Sequence, residues 1–128
     1  MQAPSLTIPT GRHILLELSD CPAELLDSPQ TLQGLLEQCA RRGGATVVSS
    51  NFHHFSPQGV SGVVVIAESH LTVHTWPEHG YAAVDVFTCG RHLIADRIAD
   101  LVIQEMRAGH HKLTAIVRQP ATAATLQS

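Results

Sequence analysis

His70-Leu71-Thr72-Val73-His74-Thr75-Trp76, the turn Pro77-Glu78-His79-Gly80, and then Tyr81-Ala82-Ala83-Val84-Asp85-Val86-Phe87-Thr88 decide the fold of this chain. Side chains alternate faces along a strand. Leu71 and Val73 therefore share one face, and His70, Thr72, His74 and Trp76 share the other. In the second run Val84 and Val86 share one face, and Ala83, Asp85, Phe87 and the following Cys89 share the other. One sheet face is aliphatic and suits helices. The second mixes histidines, an aspartate, aromatics and a cysteine. Bare solvent is a poor environment for Trp76 and Phe87, so this face is expected to meet a ligand or another sheet, most simply by dimerisation.

Working outward, Gly62 to Ala67 reads as a continuous apolar strand, preceded by the turn Ser56-Pro57-Gln58-Gly59. Ala45 to Phe55 reads as another strand, rich in β-branched residues at its start. Ser28-Pro29 is a helix start, with serine as cap and proline in the first turn. Leu32, Leu35, Leu36 and Cys39 then form one apolar stripe, and Gly43-Gly44 ends the helix. Ile14 to Leu18 is a first strand, broken by Asp20-Cys21-Pro22. Leu93, Ile94, Ile98, Leu101, Val102 and Met106 mark a second amphipathic helix, ending near Gly109. Leu113 to Val117 is a short last strand. Residues 1–10 read as a loose arm, and the tail after Pro120 as frayed.

The chain has 128 residues, a size that fits one domain. Its net charge of -3 provides no basic field for nucleic acid or a membrane surface. No apolar run approaches the ~20 residues that span a bilayer, and no export signal stands at the N-terminus. Three cysteines, Cys21, Cys39 and Cys89, without metal-type spacing, point to a reduced cytoplasmic protein. The one lysine, Lys112, disfavours pyridoxal chemistry, which needs a lysine imine.

The Glu68-Ser69 bond has the chemistry for self-cleavage. A serine hydroxyl can attack the preceding carbonyl carbon and turn amide into ester, given local strain and donors for the oxyanion. Loss of the α-proton of residue 69 then expels the Glu68 carboxylate by β-elimination. The dehydroalanine tautomerises and hydrolyses to a pyruvoyl group and ammonia. The products are residues 1–68 and 69–128. His74 is a suitable base, since an ordinary histidine is largely neutral near pH 7. The pyruvoyl carbonyl can form a Schiff base with a substrate amino group and accept the electrons left by departing carbon dioxide. Cys89 has the chemistry to return a proton to the substrate carbon. Ser69 has the parity of the aliphatic face, so the backbone at Glu68-Ser69 is expected to leave regular strand geometry.

Glu68-Ser69-His70, with His74-Thr75-Trp76-Pro77-Glu78 and the downstream Phe87-Thr88-Cys89-Gly90, resembles the small prokaryotic S-adenosylmethionine decarboxylases. The resemblance extends from Gly11-Arg12-His13 through Gly59-Val60-Ser61-Gly62 to Gly90. It implies Ser69 as the precursor of a pyruvoyl cofactor, His74 as the processing base, Cys89 as the catalytic proton donor and Ser61 as a processing aid. It places Phe55 and Trp76 near the adenine of the substrate, where a flat sulfonium nucleoside can stack, and Glu78 at its ribose. The implied fold is α+β, a two-layer sandwich of a mainly antiparallel sheet with two helices on one face, pairing into a homodimer. The implied product is decarboxylated S-adenosylmethionine for spermidine synthesis. His79, Leu18-Ser19 and Arg91-His92-Leu93 depart from the family pattern around the pocket, and some relatives decarboxylate arginine or ornithine.

Two readings of another class stand beside this one. Nine histidines, with His70 and His74 on one strand face and His53, His54 and His79 able to converge on them, also fit a zinc or copper site. An unprocessed, non-catalytic partner is the other, and the intact Ser69, His74 and Cys89 weigh against it.

Overall fold

The computed structural model describes residues 9–90 and 92–121. Its elements run β1 Gly11–Ser19, α1 Ala23–Leu26, α2 Pro29–Arg42, β2 Thr46–His54, β3 Val60–Ala67, β4 Ser69–Trp76, a 3-10 turn Pro77–His79, β5 Tyr81–Cys89, α3 His92–Glu105 and β6 His110–Arg118. The strands form one six-stranded sheet in the order β2-β3-β4-β5-β1-β6. Every neighbouring pair is antiparallel. The fold is thus an α+β sandwich of helices on a sheet, with the four-residue α1 added to the two helices expected from periodicity.

Alternation sorts the two faces as expected. Ile14, Leu16, Leu18, Val64, Ile66, Leu71, Val73, Val84 and Val86 are all buried under the helices. Leu32, Leu36 and Cys39 of α2, Ile98 and Val102 of α3, and Met106 just past the end of α3 complete this core. Helix α2 covers β2 and β3, and α3 covers β1 and β5. Ser28 caps α2 as predicted, its Oγ accepting from the Thr31 N–H at 3.2 Å. Gly44 then turns the chain at φ 106°, which a side chain would resist. Burial pushes the Cys39 thiol up to about 12 and raises that of Cys21, so both are packing residues rather than nucleophiles.

Among the described residues, no helix packs on the opposite sheet face. It presents Ser61, Val63 and Val65 of β3, His70, Thr72, His74 and Trp76 of β4, and Asp85, Phe87 and Cys89 of β5. Val65 and Trp76 are exposed there, at 38% and 40%. Strand β6 starts three residues earlier than the apolar pattern alone indicates, because His110, His111 and Lys112 pair with Ser19, Leu18 and Glu17. Of the arm expected at residues 1–10, positions 1–8 lie outside the described residues; so do positions 122–128 of the tail. No helix among the described residues is long and apolar enough to cross a membrane.

Candidate active site

Strands β3 and β4 form a tight hairpin. Ile66 pairs with Ser69, leaving Ala67 and Glu68 as its connection. Ser69 stands at φ 129°. That region is populated almost entirely by glycine, since Cβ crowds the backbone there, and a non-glycine residue in it holds roughly 1–3 kcal/mol of strain. The departure from strand geometry demanded by parity is therefore real. It falls on the residue whose hydroxyl would attack.

The carbonyl oxygen of Glu68 accepts a hydrogen bond from the backbone N–H of Cys89 at 3.3 Å. This contact arises because β4 and β5 pair in the register Ser69 to Thr88, which sets Cys89 beside Glu68. Attack on the Glu68 carbonyl carbon would place negative charge on that same oxygen, so the Cys89 N–H is a pre-aimed oxyanion donor. A main-chain donor has no side-chain signature, and only register reveals it. The Cys89 thiol is exposed, at the end of β5 on the helix-free face. It lines a cavity of about 300 Å³ together with Gly11, Phe87 and Arg118. Gly11 leaves no room for a side chain: a Cβ there would lie 2.4 Å from the Phe87 ring.

Ser61 and His74 form a second centre. They are register partners on β3 and β4, and Ser61 Oγ lies 2.9 Å from His74 Nδ1. A cavity of about 340 Å³ joins them to Phe55, Trp76 and Glu78. Trp76 is held as a platform by Tyr81, its cross-strand partner, at a ring separation of 5.1 Å and an interplanar angle of 19°. The Tyr81 hydroxyl donates to Glu17 Oε1 at 2.6 Å, which with burial pushes its pKa up to about 12 and keeps it a donor.

The two centres do not meet within one chain. Ser69 and His74 are five residues apart along β4, extended beyond Ser69 itself, and at ~3.3 Å per residue that separates them by about 16 Å. One end of β4 holds Glu68, Ser69 and Cys89; the other holds Ser61, His74, Phe55, Trp76 and Glu78. Between them lies a band of His13, His70, Thr72 and Asp85. Thr72 Oγ1 donates to Asp85 Oδ2 at 3.2 Å, and His13 Nε2 stands 4.0 Å from the same oxygen. Burial, then the neighbouring His13, lowers the His70 pKa. Among the described residues no three His, Cys, Asp or Glu side chains group so as to hold a metal ion. His54 is instead engaged on the helix side with Asp27, at 2.8 Å.

The family model for S-adenosylmethionine decarboxylase matches residues 12–119. A relative from Fervidobacterium nodosum, an S-adenosylmethionine decarboxylase proenzyme, is 60% identical over 83 residues, which are 65% of this chain and 61% of that protein. A proenzyme of the same description from Caldicellulosiruptor saccharolyticus is 47% identical over 120 residues, covering 91% of this chain and 97% of its own. The crystal structure of the adenosylmethionine decarboxylase from Aquifex aeolicus superposes with a TM-score of 0.83 at 35% identity, over 91% of this chain and 97% of that one.

Proposed function

This chain belongs to the S-adenosylmethionine decarboxylase family, and from that membership we propose that it is a self-processing pyruvoyl decarboxylase of S-adenosylmethionine. Its products are carbon dioxide and decarboxylated S-adenosylmethionine, the aminopropyl donor for spermidine synthesis, made in the cytoplasm. One observation carries the reading: Ser69 is strained at φ 129° while the oxygen of the bond it would attack is already held by the Cys89 N–H. The φ of residue 69 is defined across the Glu68-Ser69 bond. Cutting that bond abolishes the torsion and its cost, so strain in the precursor favours cleavage.

Ser69 Oγ bonds to the Glu68 carbonyl carbon as the carbon–nitrogen bond breaks, and the hydroxyl proton passes to the departing nitrogen. The Cys89 N–H stabilises the oxyanion in between. A base then takes the α-proton of residue 69, and the Cβ–Oγ bond breaks to free the Glu68 carboxylate. The dehydroalanine left at residue 69 tautomerises to an imine, and water replaces its nitrogen, releasing ammonia and leaving a keto group at the first residue of β4. A pyruvoyl group supplies an electrophilic carbonyl for the substrate amine and an electron sink for decarboxylation. The exposed Cys89 thiol, at the same end of the sheet, holds the proton for the substrate carbon.

His74 serves as the base, with Ser61 on its Nδ1, but from a second copy, because about 16 Å of strand divides it from Ser69 in its own chain. A twofold axis between two stacked helix-free faces, crossing β4 midway, sets the Ser69 end of one copy over the His74 end of the other. Phe55, Trp76 and Glu78 then close the nucleoside end of the same composite site. The exposed Val65 and Trp76 are the apolar surface such stacking would bury.

Denaturing intact mass tests the reading. We expect two chains, 1–68 and 69–128, the second with a blocked N-terminus, and a Ser69→Ala chain that stays whole at 13.8 kDa. Carbon dioxide release should occur from S-adenosylmethionine and not from arginine or ornithine assayed beside it. An intact parent chain, or release from arginine instead, overturns it.

A further inference from the structure

Thr88 is 4% exposed, and its Oγ1 is a buried polar atom without a hydrogen-bond partner among the described residues. A hydroxyl stripped of water and left unpaired is costly, and valine would fill the same space without that cost. Its two cross-strand neighbours are Ser69 on β4 and Arg12 on β1. Arg12 is a donor only, and its guanidinium is committed to Asp96 of α3, at 3.0 Å from Nε and 2.9 Å from Nη2. The Thr88 proton therefore has no side-chain acceptor on the β1 side. On the other side it faces residue 69, whose side chain as a direct pair lies ~5 Å away at Cβ. In the precursor the φ of 129° holds Ser69 off regular geometry, and Thr88 stays unpaired.

We infer that the Thr88 hydroxyl is the hydrogen-bond donor for the keto oxygen created at residue 69. The inference rests on Ser69 being the pyruvoyl precursor. Cleavage frees residue 69 from its φ constraint and provides the carbonyl acceptor that the buried hydroxyl lacks. The bond then fixes the orientation of the ketone and draws electron density from its carbon, making it more open to an amine. The precursor carries the unpaired hydroxyl, and the mature protein uses it.

The test compares Thr88→Val in two backgrounds, the uncut Ser69→Ala chain and the mature cleaved protein, by thermal melting and by the rate of hydrazone formation with phenylhydrazine. We expect the uncut chain to melt at the parental temperature or above it, the mature protein to melt lower, and hydrazone formation to slow at least fivefold. Thr88→Ser should retain parental values in both readouts. A hydroxyl that merely supports the fold would lower both melting temperatures alike, and that result overturns the inference. So do parental melting and parental carbonyl reactivity in mature Thr88→Val. A Thr88→Val chain that never cuts would assign the hydroxyl to cleavage and also overturn it; one that does not fold, with Thr88→Ala failing likewise, would make it structural. A parent chain that stays whole would instead sink the Ser69 reading itself.

Discussion

Cys89 presents two groups to the Glu68-Ser69 end of the sheet. Its N–H holds the Glu68 oxygen at 3.3 Å, and its thiol points to the open sheet face. Replacing the side chain spares the main chain, so Cys89→Ala should still cut at Glu68-Ser69. Carbon dioxide release should fall about 100-fold or more, the usual scale for losing a positioned acid. Mass spectrometry and single-turnover release on the same preparation check both halves, and full turnover would remove the thiol from the mechanism. Ser69, His74 and Cys89 stand out in the sequence because their side chains have distinctive chemistry at a short spacing. The Cys89 N–H and the unpaired Thr88 hydroxyl do not stand out. One is a group every residue but proline possesses, and the other becomes unusual only through burial.

The hairpin β3–β4 and its partner β5 are legible in sequence because a half-buried strand must alternate, and parity located both faces. Helix α2 is legible from its Ser28 cap and apolar stripe. The four-residue α1 is not, having no side-chain cap and too few residues for a period. Within β3, Gly62 is required by packing: the Phe52 ring of β2, its register partner, lies over it, and a Cβ would meet that ring at 2.1 Å. Gly62→Ala should destabilise the uncut Ser69→Ala chain by about 1–3 kcal/mol, the cost of overpacking. Urea unfolding at matched protein concentration reads it as a lower midpoint at unchanged slope. A midpoint within error of the parent would mean that Phe52 moves aside freely.

At the scale of the whole molecule the question is which chain serves which site. Co-expression of Ser69→Ala with His74→Ala decides it. In a composite site the His74→Ala chain keeps its serine and borrows the histidine of its companion, so it is cut in mixed dimers; neither variant alone is cut. If each chain served itself, the mixture would stay whole as well. Denaturing mass distinguishes the two, because the variants differ in mass. The sequence by itself determined the alternating strands, the capped helix, the aliphatic and mixed faces, and the Glu-Ser bond with its histidine and cysteine, since all of these rest on local spacing and side-chain chemistry. Only the tertiary structure decided that β1 lies between β5 and β6, that the Cys89 N–H meets the Glu68 oxygen, that Ser69 sits at φ 129°, and that His74 belongs to the far end of its own strand. Register is set by long-range packing of the sheet against its helices. Residues five apart, close in sequence, are carried about 16 Å apart once the chain between them is extended.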